Sequence, residues 1–310
     1  MSDFLYSEDN KRYHTLSYHL KNTFGEKVYK AVIDGGFSCP NKDGTVSFGG
    51  CAFCLSGSGA FTKGGIGIRE QIKKEQERIE KKIGKTPKMI AYFQANTNTY
   101  APAKVLREKF YEATECENVV GLSVGTRPDC LGDDVLALLS EINKKTYLTV
   151  ELGVQTTNDK SASLFNRGYE TKVFYDAVSR LKKEGIRVLA HIITGLYGED
   201  YKDYIKTAKD LGKLKIDAVK ISLLHVLKGT EYERLYNEEK YTPLSKEEYI
   251  KAVSNQLTYF APECVIERVT GDGDRKSLVA PMWSLDKISV LGGIDKYMAE
   301  NGLYQGMNYR

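Results

Sequence analysis

Two alternating hydrophobic periods narrow what this chain can fold into more than any other feature. Apolar, β-branched runs recur at 28–33, 89–95, 119–126, 148–156, 187–196 and 218–227. Between them apolar residues return at helical spacing, first at Ile68, Ile72, Ile79 and Ile83, then over 105–111, 135–142, 173–181 and 204–214. Strand and helix exchanging places about every 30 residues predict right-handed βαβ units on a parallel sheet. Six successive units with no GxGxxG turn favour a curved, barrel-like sheet over an open doubly wound one. Only the first strand-to-helix interval is long, and it is rich in cysteine and glycine.

In parallel barrels the chemistry sits at the C-terminal ends of the strands. Each expected strand here ends in a polar or glycine-rich signature: the cysteine loop at 34–54, QANTNTY (94–100), GTRPDC (125–130), GVQTTND (153–159), TGLYGED (194–200) and HVLKGT (225–230). Six signatures at equivalent ends describe one site. Alternate residues of a strand face opposite ways. If the apolar sets face the helices, Glu151, Gln155, His191 and Lys220 point into the barrel. Any one of these is explained equally well as a satisfied polar position in a core. Four together mark a site, because burying polar groups without partners is costly.

Composition excludes several classes. With 41% hydrophobic and 28% charged residues among 310, the chain reads as a globular protein rather than a disordered or fibrous one. A net charge of +4 permits a nucleic-acid partner without arguing for one. No apolar run approaches the roughly 18 residues of a membrane span, and the N-terminus lacks the order of a signal peptide. The expected location is the cytoplasm, where six cysteines read as thiols and metal ligands rather than disulfides. The helix at 68–84 interleaves Lys and Arg with Glu, the pattern of a solvated face. His14 and His19 in the N-terminal lead-in read as surface or capping residues, with zinc ligation the minor alternative.

Within the long first interval, Cys39, Cys51 and Cys54 form C-x11-C-x2-C, with no fourth cysteine in spacing. Three thiolates suit zinc or an iron-sulfur cluster, and either would keep one coordination position open. Cys116, Cys130 and Cys264 have no paired spacing. The three-cysteine loop, with Phe53 before its last cysteine, resembles the cluster loop of radical S-adenosylmethionine (SAM) enzymes. The long first gap resembles the Elp3-like branch, particularly its YtqA/YhcC group. TRPD at Thr126 to Asp129 agrees with that branch, and the matches extend over roughly residues 34 to 230, about two thirds of the chain.

The resemblance implies a partial (β/α)6 TIM-like barrel, a [4Fe-4S] cluster on Cys39, Cys51 and Cys54, and SAM as second cofactor. It places Phe53 near adenine, and Gln94 to Asn98 where relatives carry a Gly-Gly-Glu-like segment, with Gln94 and Asn96 toward the methionine amino group. Gln155 matches a ribose contact and Arg167 a carboxylate contact. Relatives carry an acid where this chain has Gly125, next to Thr126; Glu151 is the candidate replacement. The implied reaction is reductive cleavage of SAM to a 5′-deoxyadenosyl radical, with electrons from a flavodoxin or ferredoxin. The implied substrate is tRNA at the carbon-5 substituent of a wobble uridine, with carboxymethylaminomethyl converted to aminomethyl; the alternatives are a small-molecule or protein substrate and, outside catalysis, a zinc or iron-sulfur protein that binds RNA. His191 and Lys220 are candidate substrate contacts.

The expected organisation is a lead-in over 1–27, the barrel over 28–229 and a mostly helical extension over 230–310. In the extension, Ser245 with Glu248 three residues on is a capping box. The run 264–270 reads as a strand followed by the turn-rich GDGDR, and 283–301 reads as a helix interrupted at Gly292-Gly293.

Overall fold

The computed structural model describes residues 4–9, 11–54, 65–271, 273 and 275–310, so GDGDR lies partly outside the described residues. Seven strands build one parallel sheet: β1 (Val28–Ile33), β2 (Lys88–Phe93), β3 (Val119–Thr126), β4 (Tyr147–Gln155), β5 (Arg187–Thr194), β6 (Ala218–Leu223) and β7 (Val265–Arg268). Each strand pairs with its predecessor in sequence. The strand order therefore never reverses, and the sheet curls into an incomplete barrel of α/β class. Helices α2 (Ile68–Ile83), α3 (Ala103–Thr114), α4 (Asp133–Asn143), α5 (Thr171–Lys183) and α6 (Tyr201–Lys213) make the crossovers, and α1 (Leu16–Phe24) leads in. Covered on both faces, strands such as KMIAYF are buried almost throughout. Fully enclosed Phe93, Phe110, Phe174 and Leu106 anchor the layer between sheet and helices. Each contributes about 1.5–3 kcal/mol.

The open sides of the sheet are managed by side chains and by the N-terminus. Lys30 of β1 reaches Glu267 of β7 at 2.6 Å, joining the two edge strands through an ion pair. Thr15 forms a parallel bridge to Ile266, and the Ile266 amide donates to the His14 carbonyl at 2.8 Å, so the lead-in blunts the β7 edge.

The expected partial barrel is present, and the strand read in the extension joins its sheet beside β6 as a seventh, carrying Glu267 and Arg268 with it. One expectation is corrected. The last helix, α8 (Lys287–Glu300), runs uninterrupted through Gly292-Gly293 and packs on α7 (Lys246–Leu257). A Cβ at residue 293 would stand 2.4 Å from the Ile250 side chain, so that glycine admits the neighbouring helix rather than breaking its own. The Ser245–Glu248 capping box is present at the start of α7.

Candidate active site

The cysteine loop is folded by short local bonds. Lys42 N donates to Cys39 O, Gly50 N to Asn41 O and Cys54 N to Cys51 O, each at 2.8 Å. A second loop, following β4, grips it. Asn166 donates through Nδ2 to Gly50 O at 3.0 Å and Ser47 Oγ at 2.7 Å, and the Ala52 amide donates to Phe165 O at 3.0 Å. Asn41, fully buried, donates to Asn166 O at 2.6 Å and approaches Cys51 Sγ at 3.5 Å. Gly168, at φ 81°, lies so close that a Cβ would meet Asn41 Oδ1 at 2.6 Å.

Cys39, Cys51 and Cys54 line one cavity of about 280 Å³ at the C-terminal ends of the strands. Phe53, Gln94, Asn96, Thr126, Glu151, Gln155, Arg167 and His191 line it as well, so the structure brings together nearly every residue singled out from sequence. Lys220 lies just beneath, bonded to Glu151. His14 and His19 lie elsewhere, near the N-terminal ends of the strands: His14 stacks on Tyr6 and meets Tyr18 edge-on, and His19 is tilted against Tyr147. Burial pushes the Cys51 thiol up to about 12; Cys54 and Cys39 add to the effect and Arg127 opposes it.

The cavity side chains are not equally available to a ligand. Gln155 ends β4 at φ 58°, beside a register shift in the β4–β5 pairing, and its amide folds back over Gly153. Such strain at a cavity wall is typical of ligand clamps. Asn96, also at φ 58°, donates to Phe37 O at 2.9 Å and accepts from Lys42 Nζ at 3.2 Å. Thr126 shares a 2.6 Å hydroxyl contact with Thr99.

Two expected cofactor contacts are committed to the protein instead. Arg167 is 1% exposed, and its guanidinium has five N–H donors. They go to Tyr169 O, Val154 O, Thr156 O, Asp159 Oδ1 and Thr171 Oγ1, at 2.7 to 3.0 Å. None is left for a ligand carboxylate in this arrangement; Arg167 fixes the loop that grips the cysteines. Glu151 faces Gly125 in the β3–β4 register, as a replacement for the missing acid should. Its oxygens, however, are taken by Lys30 at 3.0 Å, Ser123 at 2.5 Å, His191 at 2.7 Å and Lys220. Burial alone would raise this carboxyl, but Lys220 and Lys30 hold it well below the usual carboxylate range.

Beneath the cavity each strand contributes one inward polar side chain, from Lys30, Tyr92, Ser123, Glu151 and His191 to Lys220 and Glu267. Lys30 and Tyr92 were missed in the sequence, although strand parity in VYKAVI and KMIAYF marks both. Glu267 and Arg268 become visible only once β7 is known to join the sheet. Arg127 and Lys42, also missed, are the cations facing the cavity beside the cysteines. Arg127 spends three N–H groups on Asp129 and the Arg167 carbonyl, and stacks 5.0 Å over Tyr169.

The model of the radical SAM superfamily matches residues 45–211, and that of the radical SAM C-terminal domain matches residues 216–300. The chain belongs to the radical SAM superfamily, whose enzymes use a [4Fe-4S] cluster and SAM. Among particular proteins, it is 47% identical to YtqA of Bacillus subtilis (strain 168), over 98% of this chain and 94% of that one. It is 32% identical to a tRNA uridine(34) acetyltransferase of Methanocaldococcus jannaschii, over 63% of this chain and 36% of that one. In fold it is similar to the archaeal Elp3 of Methanocaldococcus infernus, with a TM-score of 0.66 at 19% identity, covering 90% of this chain and 64% of that chain.

The donor set fits the family's cluster. Among the described residues no three His, Cys, Asp or Glu side chains converge as ligands of a single metal ion. Three thiols lining one cavity are the donor set of a polynuclear cluster, in which separate cysteines bind separate irons. The buried Asn41 Oδ1, without a hydrogen-bond partner, lies in the same loop.

Proposed function

We propose that this radical SAM enzyme acts on tRNA, modifying the carbon-5 substituent of a wobble uridine by converting carboxymethylaminomethyl to aminomethyl. The observation that carries this reading is the 32% identity to a tRNA uridine(34) acetyltransferase over 203 residues. The match covers 63% of this chain and 36% of that protein. An anticodon loop presents a base that can be splayed out of its stack and inserted into a barrel mouth.

In this reading Cys39, Cys51 and Cys54 hold the cluster, which together with SAM supplies a hydrogen-abstracting radical. The protein's part is to bind, orient and exclude water. Phe53 offers an apolar face to adenine, Gln155 offers its amide to the ribose hydroxyls, and Gln94 and Asn96 face the amino group. With Arg167 committed to the fold, Arg127 and Lys42 supply the positive charge for the carboxylate. The floor, with Glu151, His191 and Lys220, faces the substrate. Electrons come from a flavodoxin or ferredoxin, and the setting is the cytoplasm. No helix among the described residues is long and apolar enough to cross a membrane.

The test is to digest tRNA from cells with and without the gene and compare wobble-uridine nucleosides. Accumulation of the carboxymethylaminomethyl form on deletion is the expected result. An unchanged profile, with SAM cleavage stimulated by metabolite pools rather than tRNA, contradicts the reading.

A further inference from the structure

Among the described residues, Lys30, Ser123, Glu151, His191 and Lys220 bond to one another at the floor of the cavity, and one ring nitrogen of His191 stays outside those bonds. Glu151 is fully buried and ionised, so it only accepts hydrogen bonds. Lys30 and Ser123 occupy one of its oxygens; Lys220 and His191 Nε2 occupy the other. With the carboxylate unable to donate, the 2.7 Å contact to His191 has a single consistent assignment, a hydrogen on Nε2. In a neutral imidazole the other nitrogen, Nδ1, then carries a lone pair. The His191 ring keeps 29% of its side-chain surface and lines the cavity. Nδ1 makes no hydrogen bond to the described residues.

The groups around the ring favour its neutral form. Glu151 on β4 is the acidic neighbour, Lys220 stands directly opposite on β6, and Arg268 pairs with Lys220 on β7. Lys30 on β1, Tyr92 on β2 and the second carboxylate, Glu267 on β7, belong to the same network through Glu151 and Lys220. Burial lowers the imidazole below its ordinary value; Glu151 opposes that, and Lys220 reinforces it.

We propose that His191 is a catalytic base whose Nδ1 takes a proton from the substrate's ammonium group, the protonated amine attached to the carbon that loses its hydrogen, leaving the neutral amine. The inference rests on the tRNA reading above, in which the modified side chain carries such an amine. The substrate N–H bond breaks, the electron pair stays on the substrate nitrogen, and an Nδ1–H bond forms. The imidazolium is held by Glu151 through Nε2, and the freed lone pair stabilises the carbon radical left when the adjacent carbon gives up its hydrogen atom. Lys220 and Arg268 keep the imidazolium from being too stable, so the proton can be returned.

Two measurements test this. The chain has four histidines, so 15N-histidine labelling of the full chain, with His191→Gln assigning the resonance, reads the His191 tautomer by long-range 1H–15N correlation without any cofactor. The Nε2–H tautomer is expected through the neutral range; an Nδ1–H tautomer overturns the proposal whatever the substrate proves to be. The second measurement is the pH profile of turnover by the reconstituted enzyme on tRNA bearing the carboxymethylaminomethyl group. Wild type should lose activity on the acid side as His191 protonates. His191→Gln retains an amide toward Glu151 but removes the base, and should lower turnover by about 10²-fold or more and abolish the acid limb. An acid limb that persists in His191→Gln overturns the base role while leaving the tRNA reading intact. Absence of wild-type turnover on this tRNA refutes the tRNA reading and with it the amine substrate, while the tautomer measurement still decides the orientation of His191.

Discussion

Arg167 shows how far a residue's type can be read without its surroundings. The family resemblance implies a carboxylate ligand at this position, yet all five N–H groups end on the protein. Three of those acceptors are backbone carbonyls, which leave no trace in a sequence. Arg167→Lys supplies three donors in place of a planar fork and strands buried acceptors. It should cost about 3 kcal/mol in denaturant unfolding and lower the iron retained by the cysteine loop. A variant of unchanged stability that only weakens SAM binding would restore Arg167 as a ligand. Glu199, in the loop after β5, carries a pH effect. Burial raises its carboxyl from 4.5 to about 7, with Thr156 and Ser161 opposing and Asp203 and Asp200 adding. Between those values the folded chain holds a proton that the unfolded chain has released. Stability therefore falls as pH rises through this window. Glu199→Gln should remove the slope, gaining about 1–3 kcal/mol on wild type at alkaline relative to acid pH; equal pH profiles of unfolding for the two proteins would contradict this.

At the scale of elements, the alternating periods locate β1 through β6 to within a few residues, because each run is long and buried on both faces. The short β7, Val265–Arg268, carries too little pattern to reveal its partner, and two helices separate it from β6. Strand parity points Glu151, His191 and Lys220 inward, but does not say what they touch: Glu267, an ion-pair partner of Lys220 and Lys30, arrives from β7. Glycines divide in the same way. Gly292 lies inside α8 with nothing near its missing Cβ, whereas a Cβ on Gly212 in α6 would meet the Tyr259 carbonyl at 2.3 Å. Gly292→Ala should stabilise by about 0.5–1 kcal/mol through helix propensity alone. Gly212→Ala should destabilise by about 1–3 kcal/mol, because backbone must move. Equal effects in chemical denaturation would show that the α6 contact is softer than described.

The whole molecule is a curled sheet with its two ends used differently. The N-terminal ends of the strands are packed with His14, His19 and tyrosines, while the C-terminal ends open into the cavity that holds the cysteines. The cysteine loop and the loop after β4 are mutually braced, so cluster and cavity wall stand or fall together. The most direct test is anaerobic reconstitution with iron and sulfide, followed by dithionite and SAM, measuring 5′-deoxyadenosine from wild type and Cys51→Ala. Wild type should absorb as an iron-sulfur protein and form 5′-deoxyadenosine, and Cys51→Ala should form none above background. A colourless wild type that binds zinc and leaves SAM intact, or product formation that survives loss of Cys51, would contradict the assignment of the cysteine loop.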